Sequence, residues 1–334
     1  MTAEIPQGRW RPGVWATPEE LAELPTRGPA WEGLAKTAGK PIGEPDLADQ
    51  DSDGDSIAMA KGLVFARTGG EELRREVSDA CAKIIGTEKK GDALALGRNL
   101  IGYVIAADLV GLPSMDPDGL RRVFRRWLRK VVVERLTDER TLVSTHEERP
   151  NNWGTHAGAS RVAVAAYLKD PQAVRRCAQV FKGWLGDRQA HAGFEFGDDL
   201  SWQADPKKPV GVNPKGATLK GHSIDGALPD DQRRAGPFTW PPPKENYVWE
   251  ALQGALAQAE ILFRCGYDAW EWEDRALFRA ATWLHAQCEY PATGDDEWQP
   301  HLLNFRYRAK FPTKSPARHG KSVGFTDLTH ARNW

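Results

Sequence analysis

The chain has 334 residues, of which 40% are hydrophobic and 27% charged, an ordinary composition for a soluble protein. Its formal net charge is -1, so no overall positive field would attract nucleic acid, and any polyanion would need a local basic patch. No apolar stretch approaches the roughly 20 residues that cross a bilayer, which argues against a membrane partner.

The beginning of the chain differs in composition from the rest of it. Residues 1–45 are rich in Pro and Gly and predict an N-terminal arm that packs on one main domain of residues 46–334. Within the next stretch, Asp49, Asp51 and Asp53 match the first half of a calcium loop, but Ala60 stands where the closing Glu is needed. A polar loop that caps the following helix explains the same residues.

Neither a metal site nor a cofactor is expected. The four Cys residues are far apart in sequence and form no CxxC motif, so they predict neither a zinc site nor a disulfide framework. No HExxH, GxSxG or phosphate-binding glycine loop occurs. The 14 Trp residues are the unusual feature, and most are expected in the core.

Apolar residues recur at helical spacing through most of the chain, with Gly, Pro or Asp at the breaks. This pattern predicts helices over residues 58–68, 71–86, 92–111, 116–136, 157–170, 170–186, 247–265 and 270–288. Because the first connections are short, neighbouring helices are expected to pack antiparallel. The sequence therefore predicts an all-α protein, in which helix pairs form a closed ring and loops at one end line a cleft.

A dense polar stretch, Asn151 to His156, stands at the start of one of these helices. A helix N-terminus has unpaired backbone N–H groups and partial positive charge, which suits an anionic ligand. The structural alternative is an N-cap, with Asn152 or Thr155 accepting a backbone N–H and Trp153 in the core. Each residue alone fits either interpretation, and the cluster as a whole favours a functional site.

The longest irregular region, residues 188–245, contains frequent Gly and Pro together with Trp, Phe and Leu. A loop of this length with apolar content is more often functional than disordered. The tail after residue 295 is again loop-rich, aromatic and basic. Together with the polar helix starts, these loops supply a set of chemically capable side chains: Asn151, Asn152, His156, His191, His222, Arg233, Arg234 and Tyr247.

Amides, imidazoles, a guanidinium and a phenol suit the removal of a proton from the carbon next to a carboxylate. Such a site must neutralise the carboxylate as negative charge develops on it, and a Tyr or His can then transfer the proton. Glycoside hydrolysis would instead need two placed carboxylates. Carboxylates are available for that alternative at Asp198, Asp199, Asp225, Asp230 and Asp231.

These stretches resemble the alginate-lyase superfamily of polysaccharide lyases, which are helical toroids that cleave uronic-acid polymers by β-elimination. The amides Asn151 and Asn152 match the start of the family's NNH motif. Residues 228–234 are similar to its LPxExxRG motif, and Tyr247 precedes an ALQ-containing helix as the family's catalytic Tyr does. The resemblance extends over roughly residues 46–330. It implies an (α/α) toroid, an incomplete barrel of antiparallel helix hairpins with long loops lining a cleft.

The resemblance also implies roles for individual residues. Asn152 and Arg234 would stabilise the substrate carboxylate, Tyr247 would be the acid/base, and His222 would complete the catalytic set. The family's His is replaced by Trp153, and His156, one helical turn beyond Asn152, is expected to act instead. The expected substrate-binding residues are polar, basic or aromatic: Asn151, Trp153, His191, Trp202, Arg233, Lys215, Lys220 and Trp298.

The implied substrate is an anionic polysaccharide, either alginate or β-1,4-glucuronan, and no nucleic acid or membrane is expected as a partner. Two alternatives stay open: a glycoside hydrolase on the same helical scaffold, and a non-catalytic glycan-binding protein. By resemblance the protein is expected in the periplasm or outside the cell, although residues 1–10 lack the features of a signal peptide. A cytoplasmic location and the oligomeric state stay open.

Overall fold

The computed structural model describes residues 10–112 and 119–331. Its α-helices in the first half are α1 (Pro18–Ala22), α2 (Pro29–Ala38), α3 (Gly54–Thr68), α4 (Glu71–Lys83), α5 (Ala93–Val110), α6 (Leu120–Val131) and α7 (Leu142–Glu148). Those in the second half are α8 (Asn152–Leu168), α9 (Pro171–Leu185), α10 (Pro229–Gln232), α11 (Asn246–Arg264), α12 (Trp272–Ala286), α13 (Gln299–Tyr307) and α14 (Thr326–Thr329). One antiparallel hairpin pairs β1 (Thr218–Leu219) with β2 (His222–Ser223).

The helices form a ring. Contacts run from α3 to α5, α8 and α11, and then through α13, α14 and α2 back to α3. Helices α5, α8 and α11 are buried around most of their circumference, whereas α4, α6 and α9 each present one polar face. The expected all-α toroid is confirmed.

The innermost helices approach one another at glycines. A Cβ at Gly254 of α11 would overlap the backbone of Thr155 in α8. A Cβ at Gly97 of α5 would lie 2.9 Å from the backbone nitrogen of Ala157, also in α8. Because these positions carry no side chain, the three helices pack at backbone distance, and the polar groups of their first turns come together.

Helix α5 is long and apolar enough to cross a membrane by length and composition alone, contrary to the expectation from the sequence. However, 89% of this 18-residue segment is buried inside the protein, as in the core helix of a soluble protein. Its apolar surface is used against α3 and α8, so the segment supports no membrane partner.

Several predicted boundaries needed correction. The predicted helix over residues 116–136 ends at Val131, and its predicted start at 116–118 lies outside the described residues. Helix α8 begins at Asn152, five residues before the predicted start at Ala157. Helices α7 and α13 were not predicted, because α7 spans only two turns and α13 lies within a stretch rich in polar and aromatic residues.

The Asp-rich stretch ahead of α3 forms turns. Asp46 Oδ1 accepts the backbone N–H of Ala48 at 2.8 Å, and Asp49 Oδ1 accepts that of Asp51 at 3.0 Å. These carboxylates accept hydrogen bonds from backbone N–H groups of their own turns, as expected for a polar turn. The helix cap expected from this loop is only partial, because Asp53 makes no side-chain cap bond.

The described part of the N-terminal arm packs on the ring. The Val14 backbone N–H donates to Asp108 Oδ2 at 2.8 Å, and Arg264 donates to the Pro12 carbonyl at 2.9 Å. Helices α1 and α2 both contact α3. The division of the chain at residue 45 stays a prediction.

Candidate active site

Helix α8 begins at a capped N-terminus. Asn151 is the N-cap, and its Oδ1 accepts the Trp153 backbone N–H at 3.3 Å. Its Nδ2 donates to Asp230 Oδ2 at 3.0 Å, and the Asn152 backbone N–H donates to Asp231 Oδ1 at 3.0 Å. The helix is therefore capped, as the structural alternative expected, but by Asn151 and not by Asn152 or Thr155. The backbone N–H groups expected to bind an anionic ligand are hydrogen-bonded to side chains of the chain itself.

The side chains of Asp231 and Asn152 lie buried at this junction. Burial and the neighbouring Asp230 raise the pKa of Asp231 well above its usual range. Neither Oδ1 nor Nδ2 of Asn152 has a hydrogen-bond partner, although the residue is 0% exposed. A buried amide without partners costs free energy, so Asn152 is an uncommon choice for a purely structural position.

Tyr247 and Arg234 lie against each other. The Arg234 Cζ is 3.6 Å from the centroid of the Tyr247 ring, a close cation–π contact. The N-cap Glu245 holds the first turn of α11 through the Tyr247 backbone N–H at 3.0 Å. Tyr247 is partly exposed and Arg234 is exposed, so the phenol and the guanidinium are both open to a ligand.

Arg233 connects this pair to the start of α8. Its Nε donates to Asp230 Oδ1 at 2.8 Å, and the other oxygen of Asp230 accepts the Asn151 amide. The structure thus brings Asn151, Asn152, Arg233, Arg234 and Tyr247 together around the short helix α10, which contacts α11.

His156 lies beneath the site and is fully buried, contrary to its predicted role as a substrate contact. Its Nδ1 is 2.7 Å from Ser322 Oγ, and its Nε2 is 3.5 Å from Glu250 Oε2. Burial lowers the pKa of His156, although Glu250 opposes this shift. Nδ1 has a hydrogen-bond partner in Ser322, whereas Nε2 has none and only faces Glu250, so His156 is placed to hold these neighbours in position.

Glu250 is the centre of this buried network. Its Oε2 also accepts Arg98 Nη2 at 2.6 Å, which links α11 to α5. Burial alone would raise the pKa of Glu250, but the contacts with His156 and Arg98 lower it to about 2. Glu250 is therefore ionised and paired, one helical turn after Tyr247.

Two predicted site histidines lie on the loops. His191 is half-buried, with its Nε2 2.6 Å from the Glu147 carbonyl at the end of α7, and burial lowers its pKa. His222 in β2 stacks on Trp240, with ring centroids 4.4 Å apart and an interplanar angle of 10°. No contact of the structure joins either imidazole to Tyr247 or Arg234 among the described residues.

The two lysines that were predicted to bind substrate, Lys220 and Lys215, lie in other parts of the loop region. Lys220 Nζ lies 5.6 Å from the centroid of the Phe238 ring. Lys215 pairs with Asp274 at 3.6 Å and lines a cavity of about 290 Å³ beside Gly186 and Glu273, at the α9 and α12 side of the ring. Lys215 is therefore part of a different surface feature from the Tyr247 cluster.

Trp202 and Trp298, which the sequence placed among the substrate-binding residues, are both 0% exposed and so offer no free face to a ligand. Trp202 packs edge-on against Phe238 and donates its Nε1–H to the Gly236 carbonyl at 3.0 Å. Trp298 is the residue before α13, and Gly320 packs against its indole. Both rings hold loops onto the ring of helices. Trp153, by contrast, is partly exposed.

The sequence interpretation missed Arg98, Glu250 and Ser322. Arg98 and Glu250 are charged residues inside helices that are buried for most of their length, where charges are uncommon, and this signal was present in the sequence. Ser322 gave no signal, because it reaches His156 across 166 residues of sequence. Within residues 10–112 and 119–331, no three His, Cys, Asp or Glu side chains are grouped to hold a metal ion.

Comparisons with known proteins bear on the family and the fold of this chain. The family model described as alginate lyase matches residues 92–194, which include α5 and the start of α8 but not Arg234 or Tyr247. No curated protein is a significant match. The crystal structure of an alginate lyase from Bacteroides ovatus is similar over 98% of this chain and 100% of that chain, with 14% identity and a TM-score of 0.59. The family match and the shared toroid confirm the resemblance of this chain to the alginate-lyase superfamily.

Proposed function

We propose that this protein is a polysaccharide lyase that cleaves a uronic-acid polymer, alginate or β-1,4-glucuronan, by β-elimination. The observation that carries the proposal is the contact between the exposed Arg234 guanidinium and the partly exposed Tyr247 ring, beside the start of α8. A cation for the carboxylate and a phenol for proton transfer are thus adjacent, in a chain that resembles lyases of such polymers.

Each group has a defined task in the proposed reaction. Tyr247 acts as the general base that removes the proton on the carbon next to the carboxylate, and the electron pair of that C–H bond forms a carbon–carbon double bond. The glycosidic bond at the next carbon breaks, and its oxygen leaves with a proton that Tyr247 returns. Arg234 stabilises the charge that develops on the carboxylate.

Asn152 is the proposed second donor to the carboxylate. Its amide has unpaired atoms at the same helix start, so a substrate carboxylate would supply the partner that the protein does not. The amide is covered in the free protein, and substrate binding would have to uncover it. His156, as fully buried as Asn152, pairs with Glu250, and Glu250 pairs in turn with Arg98, so these three residues support the arrangement from below.

The experiment is direct. The protein is incubated separately with polymannuronate, polyguluronate and glucuronan, and ultraviolet absorbance is followed, because elimination creates a double bond conjugated with the carboxylate. A rise with one polymer, absent in Tyr247→Phe, is the expected result. New reducing ends without this absorbance would indicate a hydrolase, and retention of polymer without any cleavage would indicate a glycan-binding protein.

The carboxylates nearest the cluster weigh against hydrolysis. Asp230 is held by Asn151 and Arg233, and Asp231 is buried with a raised pKa. Neither is free to act as a nucleophile or as a base toward water. From the resemblance alone, we propose a periplasmic or secreted location, which fractionation of the source cells would test.

A further inference from the structure

A second arginine–aromatic pair lies at the start of α8. The Arg149 Cζ is 5.3 Å from the centroid of the Trp153 ring, and both side chains are partly exposed. The geometry is fixed by the tight connection between α7 and α8, because a Cβ at Gly154 would overlap the Arg149 carbonyl. Arg149 is thereby held over the first turn of the helix that carries Asn152.

Positive charge accumulates around this pair. Arg140, Arg233 and Arg234 are all close enough to Arg149 to act on it electrostatically, and Asp230 opposes them. Burial and these like charges lower the pKa of Arg149. A guanidinium in this position gains from an added anion, because the anion offsets the repulsion between neighbouring cations.

Carboxylates of the protein neutralise only part of this cluster. Arg140 pairs with Glu148 at 2.8 Å and with Glu195 at 3.5 Å, and Arg233 pairs with Asp230 at 2.8 Å.

By contrast, neither Arg149 nor Arg234 has a carboxylate within ion-pair distance in the described parts of the chain. Each of these two guanidinium groups lies over an aromatic ring instead. The site thus presents two uncompensated cations, one beside Tyr247 and one beside Trp153.

We propose that Arg149 and Trp153 form a second substrate-binding site, in which Arg149 binds the carboxylate of the uronate next to the one that is cleaved and Trp153 packs on its sugar ring. This inference rests on the proposed function. A polyuronate carries one carboxylate on every sugar, so two separated cations match two sugars of one chain. A guanidinium suits a carboxylate because it can donate two parallel hydrogen bonds.

Binding without turnover gives the first test. In a Tyr247→Phe background, affinity for polymannuronate, polyguluronate and glucuronan is measured by retardation in gels that contain each polymer. Arg149→Gln is expected to raise Kd roughly tenfold, the effect of losing one charged hydrogen bond. Arg149→Lys should recover part of that affinity. Arg135→Gln is the matched control, because Arg135 is exposed and pairs with Glu139 at 2.9 Å.

Kinetics give the second test. In the active enzyme, Arg149→Gln should raise KM for long oligomers and leave kcat nearly unchanged, whereas the shortest cleavable oligomer should show little change. A melting curve for each variant identifies loss of fold. Should Arg149→Gln fail to fold, Arg149→Met, which keeps the apolar stem on Trp153, takes its place in both tests.

Specific results would overturn the proposal. If Arg149→Gln were retarded as strongly as the unsubstituted protein, Arg149 would not bind the polymer. If the substitution weakened binding to a carboxyl-reduced, neutral polymer as much as binding to the polyuronate, Arg149 would not bind a carboxylate. A lower kcat with unchanged KM would assign Arg149 to the chemical step instead. These outcomes can be distinguished from failure of the proposed function. In that case the wild-type protein would yield no unsaturated product, while the gel assay would still report whether Arg149 binds polyuronate.

Discussion

Tyr247 lies under the Arg234 guanidinium at the start of α11, so removing only its hydroxyl group tests the proposed chemistry with little change in packing. We expect Tyr247→Phe to lower kcat by about 10² or more, because a general acid/base contributes at least that factor. Affinity for polymer and the melting temperature should stay near the wild-type values. A wild-type kcat in this variant would remove Tyr247 from the mechanism.

Glu250 is the residue on which the buried network depends. Glu250→Gln leaves the Arg98 charge unpaired inside the protein, and we expect it to lower the free energy of unfolding by roughly 3 kcal/mol at pH 7. Because α11 also carries Tyr247, kcat should fall together with the stability. Urea unfolding and steady-state kinetics check both expectations, with Glu139→Gln, from an exposed ion pair, as the control.

The same variant tests a prediction about how the stability of the protein depends on pH. The pKa of Glu250 is about 2 in the folded protein, below its ordinary value of 4.5. Its contribution to stability is therefore present above about pH 4.5 and is lost as the pH falls toward 2. The difference in stability between wild type and Glu250→Gln should shrink from pH 7 to pH 3. A constant difference over that range would show that the ionised carboxylate is not the cause.

At the scale of elements, the approach of α8 to α11 at Gly254 packs the first turn of α8 against the third turn of α11. Gly254→Ala adds a methyl group that overlaps the Thr155 backbone, and we expect it to lower the free energy of unfolding by about 1–3 kcal/mol. Activity should also fall, because both helices carry site residues. Gly39→Ala is the control, since a Cβ there meets its nearest atom, the Ala35 carbonyl oxygen, at 3.4 Å.

Thermal melting and the ultraviolet assay measure these two effects. A Gly254→Ala variant as stable and as active as wild type would show that the helices can separate without cost. The same result would weaken the view that backbone packing of α8 against α11 aligns the site.

At the scale of the whole molecule, the formal net charge of -1 gives no overall attraction for a polyanion, so substrate capture depends on the local arginines around α10. We expect KM for polyuronate to rise with added sodium chloride, because exposed charges are screened over about 8–10 Å at ordinary ionic strength. Initial rates at several salt concentrations measure this effect. A flat KM would mean that the exposed arginines do not bind substrate.

The sequence by itself determined the helical class, most helix positions and the cluster at Asn151–Asn152, Arg234 and Tyr247. These depend on local patterns: apolar spacing marks a buried helix face, and short motifs keep their order along the chain. The presence of a capping side chain in this stretch was also readable, because an amide at a helix start bonds to backbone only a few residues away, but the sequence pointed to Asn152 or Thr155 and the structure has Asn151.

Only the tertiary structure decided which polar groups face the cleft and which lie in the core. His156 has the residue type and spacing of a substrate ligand, yet the packing of α8 against α11 turns it toward Glu250 and Ser322. Trp202 and Trp298 could have stacked on sugar, but the loops bury them. Burial depends on contacts between residues far apart in sequence, and such contacts leave no local pattern to read.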